Sequence, residues 1–307
     1  TSFAADLTIM EEGSELVHRL QNGGTLPMMT SCSPGWIKFV EEFYPDMIPN
    51  LSTCKSPQQM MGALIKSFVA QREDIDPRRI VSVSIMPCTA KKFECSRPEM
   101  GRDHVPDVDF VLTTREFAEL LHLCGINLNG FEPEAPDTPF GERSSAGKLF
   151  GATGGVMEAA VRSAHFLVTG RNLTDLKLEP LRGLDGCKEV AVDIGGVEVR
   201  AAVVSGLGQA RRLLDDVRAG RKQLHFIEVM TCPGGCINGG GQPMSTTQEA
   251  VQARMQRLYQ IDGEARLRLS HENPWITRIY SEFLGAPLGP KSHELLHTHY
   301  HQREVVL

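Results

Sequence analysis

Three cysteine-bearing loops contain the residues whose types and spacing could do chemistry. They read TSCSPGW at residues 30–36, MPCTAKK at 86–92 and TCPGGCINGGGQP at 231–243. Each loop follows an apolar or extended segment, and in α/β proteins the loops that leave the carboxyl ends of strands converge on one site. We therefore expect cysteines from distant parts of the chain to meet at a common centre.

The third loop indicates which ligand that centre binds. Pro233, Gly234 and Gly235 prevent a helix between Cys232 and Cys236, and the surrounding glycines let backbone N–H groups approach a bulky anion. Thiolates supported by backbone hydrogen bonds are typical of iron–sulfur clusters. Structural zinc is the alternative, but it favours paired Cys-x2-Cys hooks, and this sequence has no second hook. A nucleotide phosphate loop would need Lys-Ser or Lys-Thr after the glycines, where Gln-Pro stands.

The remaining cysteines are not assigned to this chemistry. Cys124 lies on an apolar helix face, and Cys95 and Cys187 have no glycine-rich frame, so we expect three buried, inert thiols. The surroundings of Cys54 leave its role open. The His-rich segment at 297–301 is interpreted as a solvated tail rather than a metal site.

Composition excludes several classes of function. The chain has 307 residues, 41% hydrophobic and 23% charged, which is enough for one large domain or two small ones. The net charge of -6 excludes a generic binder of nucleic acid or anionic membranes. We find no apolar run approaching the ~20 residues of a membrane span, and no signal peptide. The eight cysteines therefore predict a reducing compartment, the cytoplasm or, as a second option, a plastid stroma.

The periodicity of apolar residues predicts an α/β fold. Residues 4–21 read as an amphipathic helix that ends at Asn22-Gly23-Gly24, and a chain that opens inside a helix without Met is expected to be processed or a fragment. The predicted strands are 80–86, 108–112, 190–194, 197–204 and 224–230; the predicted helices are 4–21, 115–124 and 207–219, with helices dominating from about Thr246 onward. The expected architecture is two lobes with mixed sheets flanked by helices, a cofactor between the lobes and a helical C-terminal part.

The three cysteine segments resemble, in order and spacing, the signature motifs of iron-only (FeFe) hydrogenases: TSCCPxW, MPCxxKxxE and ExMxCxxGCxxGGGQP. Residues 86–94 match the second motif in full and residues 228–243 match the third in full; residues 150–159 and 270–273 also resemble this family's catalytic domain. Two departures stand out. This chain has Cys32-Ser33 where the family has Cys-Cys, and it lacks the first part of the family domain and the accessory iron–sulfur domains.

The resemblance implies a cofactor made of a 4Fe-4S cubane bridged to a di-iron subsite with CO, cyanide and dithiolate ligands, the H-cluster. By position, Cys88 and Cys232 resemble cubane ligands, and Cys236 resembles the bridge to the di-iron subsite. Ser33 stands at the fourth ligand position, and Cys32 at the position of a proton-delivering thiol. The other implied roles are the remaining proton relay (Glu12, Ser52, Glu15), a cyanide-binding lysine (Lys91) and residues that pack around the diatomic ligands (Met86, Met230, Gln58).

These residue types suit heterolytic H2 chemistry, in which a proton leaves through groups within hydrogen-bond reach. Glu12 and Glu15 are three positions apart, which places them on one face of the predicted helix. Without the resemblance, both would be interpreted as solvated surface acids, and Lys92 is interpreted as surface charge.

Ser33 leaves three alternatives open. Its alkoxide could ligate iron, although oxygen is a harder ligand than thiolate. Alternatively, a one-residue shift of the loop would let Cys32 ligate iron and remove the relay thiol, or the cubane could keep an open or water-bound corner. Because adjacent side chains of an extended segment point to opposite sides, we favour Cys32 as the relay thiol and Ser33 at the ligand corner.

The resemblance implies an enzyme that interconverts H2 with protons and electrons. Its expected partners are a ferredoxin-type carrier or electron-transfer subunits, and the maturation proteins that supply the di-iron unit. The alternative is an H2- or redox-sensing protein, or an iron–sulfur assembly protein, on the same fold.

Overall fold

The computed structural model describes residues 1–244 and 247–305. The α-helices among them are α1 (Ser2–Asn22), α2 (Pro34–Phe43), α3 (Pro57–Leu64), α4 (Ala70–Arg72), α5 (Ala90–Cys95), α6 (Thr114–Leu123), α7 (Ala146–Leu149), α8 (Gly155–Thr169), α9 (Leu207–Arg218), α10 (Gln248–Glu264), α11 (Pro274–Ile279) and α12 (Pro290–Leu296). The strands are β1 (Met28–Met29), β2 (Val83–Met86), β3 (Gly101–Arg102), β4 (Val105–Pro106), β5 (Phe110–Thr113), β6 (Cys187–Ile194), β7 (Val197–Ser205) and β8 (Phe226–Met230).

The larger sheet is mixed and has the strand order β1-β8-β7-β6. Strand β8 pairs in parallel with β1 and β7, whereas β6 and β7 form an antiparallel hairpin. The hairpin turns at Gly195 and Gly196, whose φ angles of 66° and 89° suit a primed turn. All five residues of β8 are buried, as expected for a strand flanked on both edges.

Two further sheets have two strands each. One, called here the smaller sheet, pairs β2 with β5 in parallel, with Val83 opposite Phe110, and the other pairs β3 with β4 antiparallel. The alternation that predicted β2 is present, but its apolar face lies outward. Val83 is 53% exposed, Ile85 47% and Phe110 60%. The pattern therefore identified the strand correctly and could not say which of its faces is covered.

Helix α1 is the central helix of the site. Most of its first sixteen residues are buried, and it packs against α8 and α3. It ends at Gly23, whose left-handed φ of 73° is the usual C-terminal cap of a helix. Its acidic residues Glu11, Glu12 and Glu15 are all buried, so the reading of such residues as solvated surface acids does not apply here.

Helices dominate the chain after the glycine-rich loop, as predicted, and the fold is mixed α/β. The predicted starting point Thr246 lies outside the described residues, and α10 begins at Gln248. In the part of the chain that the structure covers, no helix has both the length and the apolar character needed to cross a membrane.

Two expectations about individual residues are wrong. Cys124 and Cys187 are exposed rather than buried, and Cys95 is only partly buried, because Cys124 lies just past the end of α6 and Cys187 starts an outer strand. His297 does not belong to a solvated tail: it is buried because Cys54 and His297 form an antiparallel β-bridge. The other histidines of that segment, His299 and His301, are exposed.

Candidate active site

The three cysteine loops converge on one cavity of about 370 Å³. Cys32 follows β1 and Cys232 follows β8 of the larger sheet, whereas Cys88 follows β2 of the smaller one. The cavity therefore lies where the ends of two sheets face each other. The predicted site residues that line it are Cys32, Ser33, Gln58, Met86, Cys88, Lys91, Met230, Cys232 and Cys236.

The thiols in this cavity are close enough to influence one another. Burial raises the pKa of Cys236 to about 12, and the neighbouring Cys88 adds to the increase. Burial likewise raises the pKa of Cys232, with a further contribution from Cys88. A metal that binds such thiols deprotonates them, so ligation here would release protons.

Glycines bring the loops into contact. A Cβ on Gly239 would lie 2.0 Å from the carbonyl oxygen of Pro87, and one on Gly241 would lie 2.9 Å from the carbonyl carbon of the same residue. The Gly241 amide also donates a hydrogen bond to that carbonyl oxygen at 2.9 Å. Glycine at these positions is what allows the loop of Cys232 and Cys236 to pack on the loop of Cys88.

The charged side chains that line the cavity are lysines. Lys91 and Lys148 belong to the lining, and no Asp or Glu is among the described lining residues. Lys91 donates to the Cys32 carbonyl oxygen at 2.9 Å and to Glu94 at 3.0 Å. Lys92, one position later, is largely exposed and pairs with Glu116 at 2.9 Å, in keeping with its interpretation as surface charge.

Gln58 is fixed by hydrogen bonds on both ends of its amide. Its Nε2 donates to Glu94 at 3.3 Å, and its Oε1 accepts a bond from Ser84 at 3.0 Å. Met86 ends β2 and Met230 ends β8, so both thioethers enter the cavity wall from strand ends.

Cys32 and Ser33 have different neighbours. The Ser33 hydroxyl forms a 2.6 Å hydrogen bond with that of Thr231, next to Cys232. The Cys32 thiol instead lies near α1: burial raises its pKa well above the ordinary value, and the negative charge of Glu12 raises it further. The two side chains therefore diverge, as expected for neighbours in an extended segment.

Glu12, Ser52 and Glu15 lie behind Cys32, outside the cavity lining. Neither carboxylate oxygen of Glu12 meets a hydrogen-bond partner among the described residues. Burial and the charge of Glu15 raise the pKa of Glu12 to about 8, while the Ser52 side chain and the Ser31 backbone oppose the increase. Ser52 donates to Glu15 at 3.0 Å, and Arg19 pairs with Glu15 at 2.6 Å.

Comparison with known proteins identifies the family. The family model described as iron only hydrogenase large subunit, C-terminal domain, matches residues 1–240, and that of the iron hydrogenase small subunit matches residues 248–303. The chain belongs to the iron-only hydrogenase family.

Individual relatives of this FeFe-hydrogenase family cover nearly the whole chain. NADP-reducing hydrogenase subunit HndD of Solidesulfovibrio fructosivorans is 50% identical over 99% of this chain and 53% of its own length. A solved variant of the apo FeFe-hydrogenase HydA1 from Chlamydomonas reinhardtii has a TM-score of 0.87 at 44% identity, covering 99% of this chain and 84% of that one.

An assembly protein is also among the relatives. Cytosolic iron-sulfur assembly component 3 of Rattus norvegicus is 34% identical over the full chain and 66% of its own length. The chain thus spans between half and two thirds of the curated relatives with which it is compared here.

The residues present fit the iron–sulfur cofactor that this family implies. The cavity offers four thiols, three of them besides Cys32, and the Ser33 hydroxyl as ligand donors. It also offers two lysines to balance an anionic cluster, and a glycine loop that admits close backbone approach. Cys88, Cys232 and Cys236 with Ser33 would hold such a group.

Several residues of the site escaped the sequence analysis. Arg19 and Glu94 carry a local signal, since they lie four positions after Glu15 and three after Lys91. Thr231 meets Ser33 across 198 positions, and Thr53 contacts His297 across 244. No local sequence pattern predicts contacts between residues so far apart in the chain.

Proposed function

We propose that this chain interconverts H2 with two protons and two electrons at a 4Fe-4S cubane linked to a di-iron subsite. The observation that carries the proposal is the convergence of Cys88, Cys232 and Cys236 on a lysine-lined cavity backed by a buried, unpartnered carboxyl group. We further propose that residues 1–307 act as one catalytic domain.

When bound, the di-iron subsite supplies the centre that activates H2, and the cubane exchanges the electrons. Lys91 provides a positive hydrogen-bond donor for an anionic cyanide ligand. Met86, Met230 and Gln58 pack around the diatomic ligands and exclude water from them, and the tethered amide of Gln58 keeps that wall rigid.

Protons travel through the side chains behind the cavity. The neutral Cys32 thiol exchanges a proton with Glu12, whose pKa of about 8 lets it hold or release a proton near neutral pH. Ser52 donates to Glu15 and also acts on the pKa of Glu12, so we assign it the connection between the two carboxyl groups. Arg19 fixes the Glu15 carboxylate at the outer end.

The divergence of Cys32 and Ser33 supports the assignment of the relay role to Cys32 and of the fourth cubane corner to Ser33. The Ser33 hydroxyl is hydrogen-bonded to Thr231, next to Cys232, whereas the charge of Glu12 raises the pKa of the Cys32 thiol. A serine corner would bind iron less well than thiolate, since hard oxygen is a poorer match to an iron–sulfur cluster.

Electrons are exchanged with a ferredoxin-type carrier or with partner subunits, and maturation proteins supply the di-iron unit. The relative HndD, a subunit of an NADP-reducing hydrogenase, supports the partner-subunit option. The proposed location is the cytoplasm, with the plastid stroma as a second option, and the net charge of -6 gives no support to nucleic-acid or membrane partners.

The decisive test combines infrared spectroscopy with an assay of H2 evolution driven by a reduced viologen. We expect CO and cyanide bands in the matured protein together with turnover. A matured protein without those bands would contradict the cofactor assignment.

A pair of variants tests the cubane corner. Cys32→Ala should abolish turnover and leave the electron paramagnetic resonance signal of the cubane in place, whereas Ser33→Cys should slow the loss of that signal during dilution with chelator. Loss of the cubane signal in Cys32→Ala would instead make Cys32 a ligand.

A second candidate function is iron–sulfur assembly, or sensing of H2 or redox state, on the same fold. The 34% identical assembly component favours it. The lysine-lined cavity at Cys236 argues for a bound di-iron unit, which an assembly function would not need. CO and cyanide bands without viologen-driven turnover would favour a sensor, and a cluster transferred to an apo-acceptor without those bands would favour assembly.

A further inference from the structure

His297 lies in the segment that matches the small-subunit family, yet it contacts Thr53, which donates a hydrogen bond to Glu15 of the proposed proton relay. Its side chain is 4% exposed. The Cys54–His297 bridge is extended by two backbone hydrogen bonds, from Lys55 to Leu296 at 2.8 Å and from Thr298 to Thr53 at 2.7 Å. The backbone thus fixes the imidazole against the strand-like segment that follows Ser52.

Both ring nitrogens of His297 have partners. Nδ1 lies 2.7 Å from the hydroxyl oxygen of Thr53, and Nε2 lies 3.1 Å from the carboxylate of Glu11. Glu15, Cys54 and His297 also lie close enough together to hold a metal ion, which is the alternative to a hydrogen-bonding role for His297. The engagement of both ring nitrogens favours hydrogen bonding over metal ligation.

Glu11 fixes one of the two ring protons. Burial acts to raise the pKa of Glu11, but hydrogen bonds from His297, Ser292 and Tyr280 outweigh it and hold that pKa below the ordinary value. Glu11 is therefore a carboxylate that only accepts hydrogen bonds, so Nε2 of His297 must carry a hydrogen.

The protonation state of His297 can therefore change only at Nδ1. Thr53 has one hydroxyl hydrogen and two neighbours that can accept it: Nδ1 of His297 and Oε2 of Glu15, which is 3.2 Å away. If Nδ1 is unprotonated, it accepts that hydrogen. If Nδ1 is protonated, it donates to the Thr53 oxygen, and the Thr53 hydroxyl donates to Glu15.

We propose that His297 is a positioning residue of the proton relay, whose protonation sets the direction of the Thr53 hydroxyl and thereby the proton affinity of Glu15. The inference rests on the relay role proposed for Glu15. The outer end of the relay gains one hydrogen-bond donor when His297 is charged and loses it when His297 is neutral. A donor to the charged form of a carboxyl group makes that group more acidic.

The groups that face His297 come from four parts of the fold. His293, one turn earlier on α12, stacks on the imidazole with ring centroids 4.1 Å apart and is exposed. Glu15 is held in addition by Arg19, Ser52 and the Thr53 amide. The titratable and charged groups around the imidazole are Glu11, Glu15, Arg19, Cys54, Tyr280 and His293.

The test follows the titration of Glu15 by NMR in the full chain labelled with ¹³C at glutamate carboxyl groups, with Glu15→Gln to assign the resonance. We expect Thr53→Val and His297→Gln each to raise its titration midpoint by about one pH unit, a tenfold loss of acidity. Thr53→Val should add nothing in the His297→Gln background, so the double variant should do no more than His297→Gln alone. Thr53→Ser, which keeps the hydroxyl, and His293→Gln, which changes the stacked neighbour, should leave the midpoint unchanged.

The proposal is overturned if Thr53→Val leaves the Glu15 midpoint at the wild-type value, or if the effects of Thr53→Val and His297→Gln add. Should His297→Gln fail to fold, ¹⁵N shifts of the His297 ring in wild type and Thr53→Val take its place, and identical shifts contradict the hydrogen bond. The pH profile of viologen-driven H2 evolution should move with the midpoint. If the wild type shows no turnover but the variants shift the Glu15 midpoint as expected, the proposed function is refuted and the role of His297 is not.

Discussion

Glu11 and Glu12 are adjacent on α1 and equally buried, yet their environments oppose each other. Glu11 accepts hydrogen bonds from Tyr280, Ser292, His297 and the Leu288 amide, and its pKa falls below the ordinary value. Among the residues that the structure describes, Glu12 has no such partner, and its pKa rises to about 8. Burial alone does not determine whether the pKa of a carboxyl group rises or falls, because hydrogen-bond donors to the carboxylate can outweigh the effect of burial.

The two sides of α1 therefore have different tasks. The Glu11 side joins the helix to the C-terminal segment through a satisfied network, which stabilises the fold. The Glu12 side keeps a carboxyl group unsatisfied next to Cys32, at a cost in stability that a purely structural residue would not need.

The largest expected effect is that of Glu12→Gln on turnover. Loss of the group that exchanges protons with Cys32 should reduce viologen-driven H2 evolution by about 100- to 10,000-fold, with the infrared bands of the cofactor unchanged. Stability in urea should not fall, since the glutamine removes a buried carboxyl group that lacks partners. Wild-type turnover in this variant would contradict the relay role of Glu12, and with it the difference drawn between Glu12 and Glu11.

Glu11→Gln should show the reverse. The neutral amide weakens four hydrogen bonds to a buried charge, so we expect about 3 kcal/mol lower free energy of unfolding, measured by urea titration. Turnover in the folded fraction should stay within a few-fold of wild type. A smaller loss of stability than in Glu12→Gln would mean that the roles are exchanged.

The pH dependence of stability should separate the two residues by sign. Glu12 takes up a proton on folding between pH 4.5 and about 8, so the wild type should lose stability relative to Glu12→Gln as pH rises, by up to about 1.4 kcal/mol per pH unit. Glu228, whose pKa burial raises to about 7, is present in both chains, but its charge also raises the pKa of Glu12, so the difference between the chains includes this coupling. Relative to Glu11→Gln, the wild type should instead lose stability as pH falls below 4.5. Equal slopes would refute the assignment.

The smallest effects compare two hydroxyl groups. Ser52→Ala removes the donor to Glu15 and should lower turnover about tenfold, the equivalent of a hydrogen bond worth ~1.4 kcal/mol. Ser292→Ala removes a donor to Glu11 and should cost about 1 kcal/mol of stability with turnover unchanged. The viologen assay and urea titration measure both, and similar profiles for the two variants would show that the sides of α1 are not distinct.

Local patterns predicted the elements whose signals lie within a few residues. Strand 224–230 is found as Phe226–Met230, helix 4–21 as Ser2–Asn22, and the hairpin turns at the predicted Gly195-Gly196. The predicted 108–112 is shifted to Phe110–Thr113, because pairing with β2 fixes its register. Strand alternation predicted β2 but not the exposure of Ile85, since coverage depends on which other segments pack on a face.

The same limit applies to the site. Cysteine spacing predicted one centre, and the three loops do line one cavity. The position of His297 near the end of this sequence predicts a solvated tail, which is wrong for this residue. Its burial depends on Thr53 and Glu11, which lie 244 and 286 positions away. Thr231 was missed for the same reason, since its contact with Ser33 spans 198 positions.

The Cys54–His297 bridge has a consequence for synthesis of the protein. His297, the partner of Glu11, is synthesised 286 residues later. At translation rates of about 5–20 residues per second, this synthesis takes about 15 to 60 s. During that interval α1 can form, but its acidic face has no C-terminal segment to cover it. A nascent chain stalled before residue 297 would thus present its cysteine loops before the C-terminal segment covers Glu11.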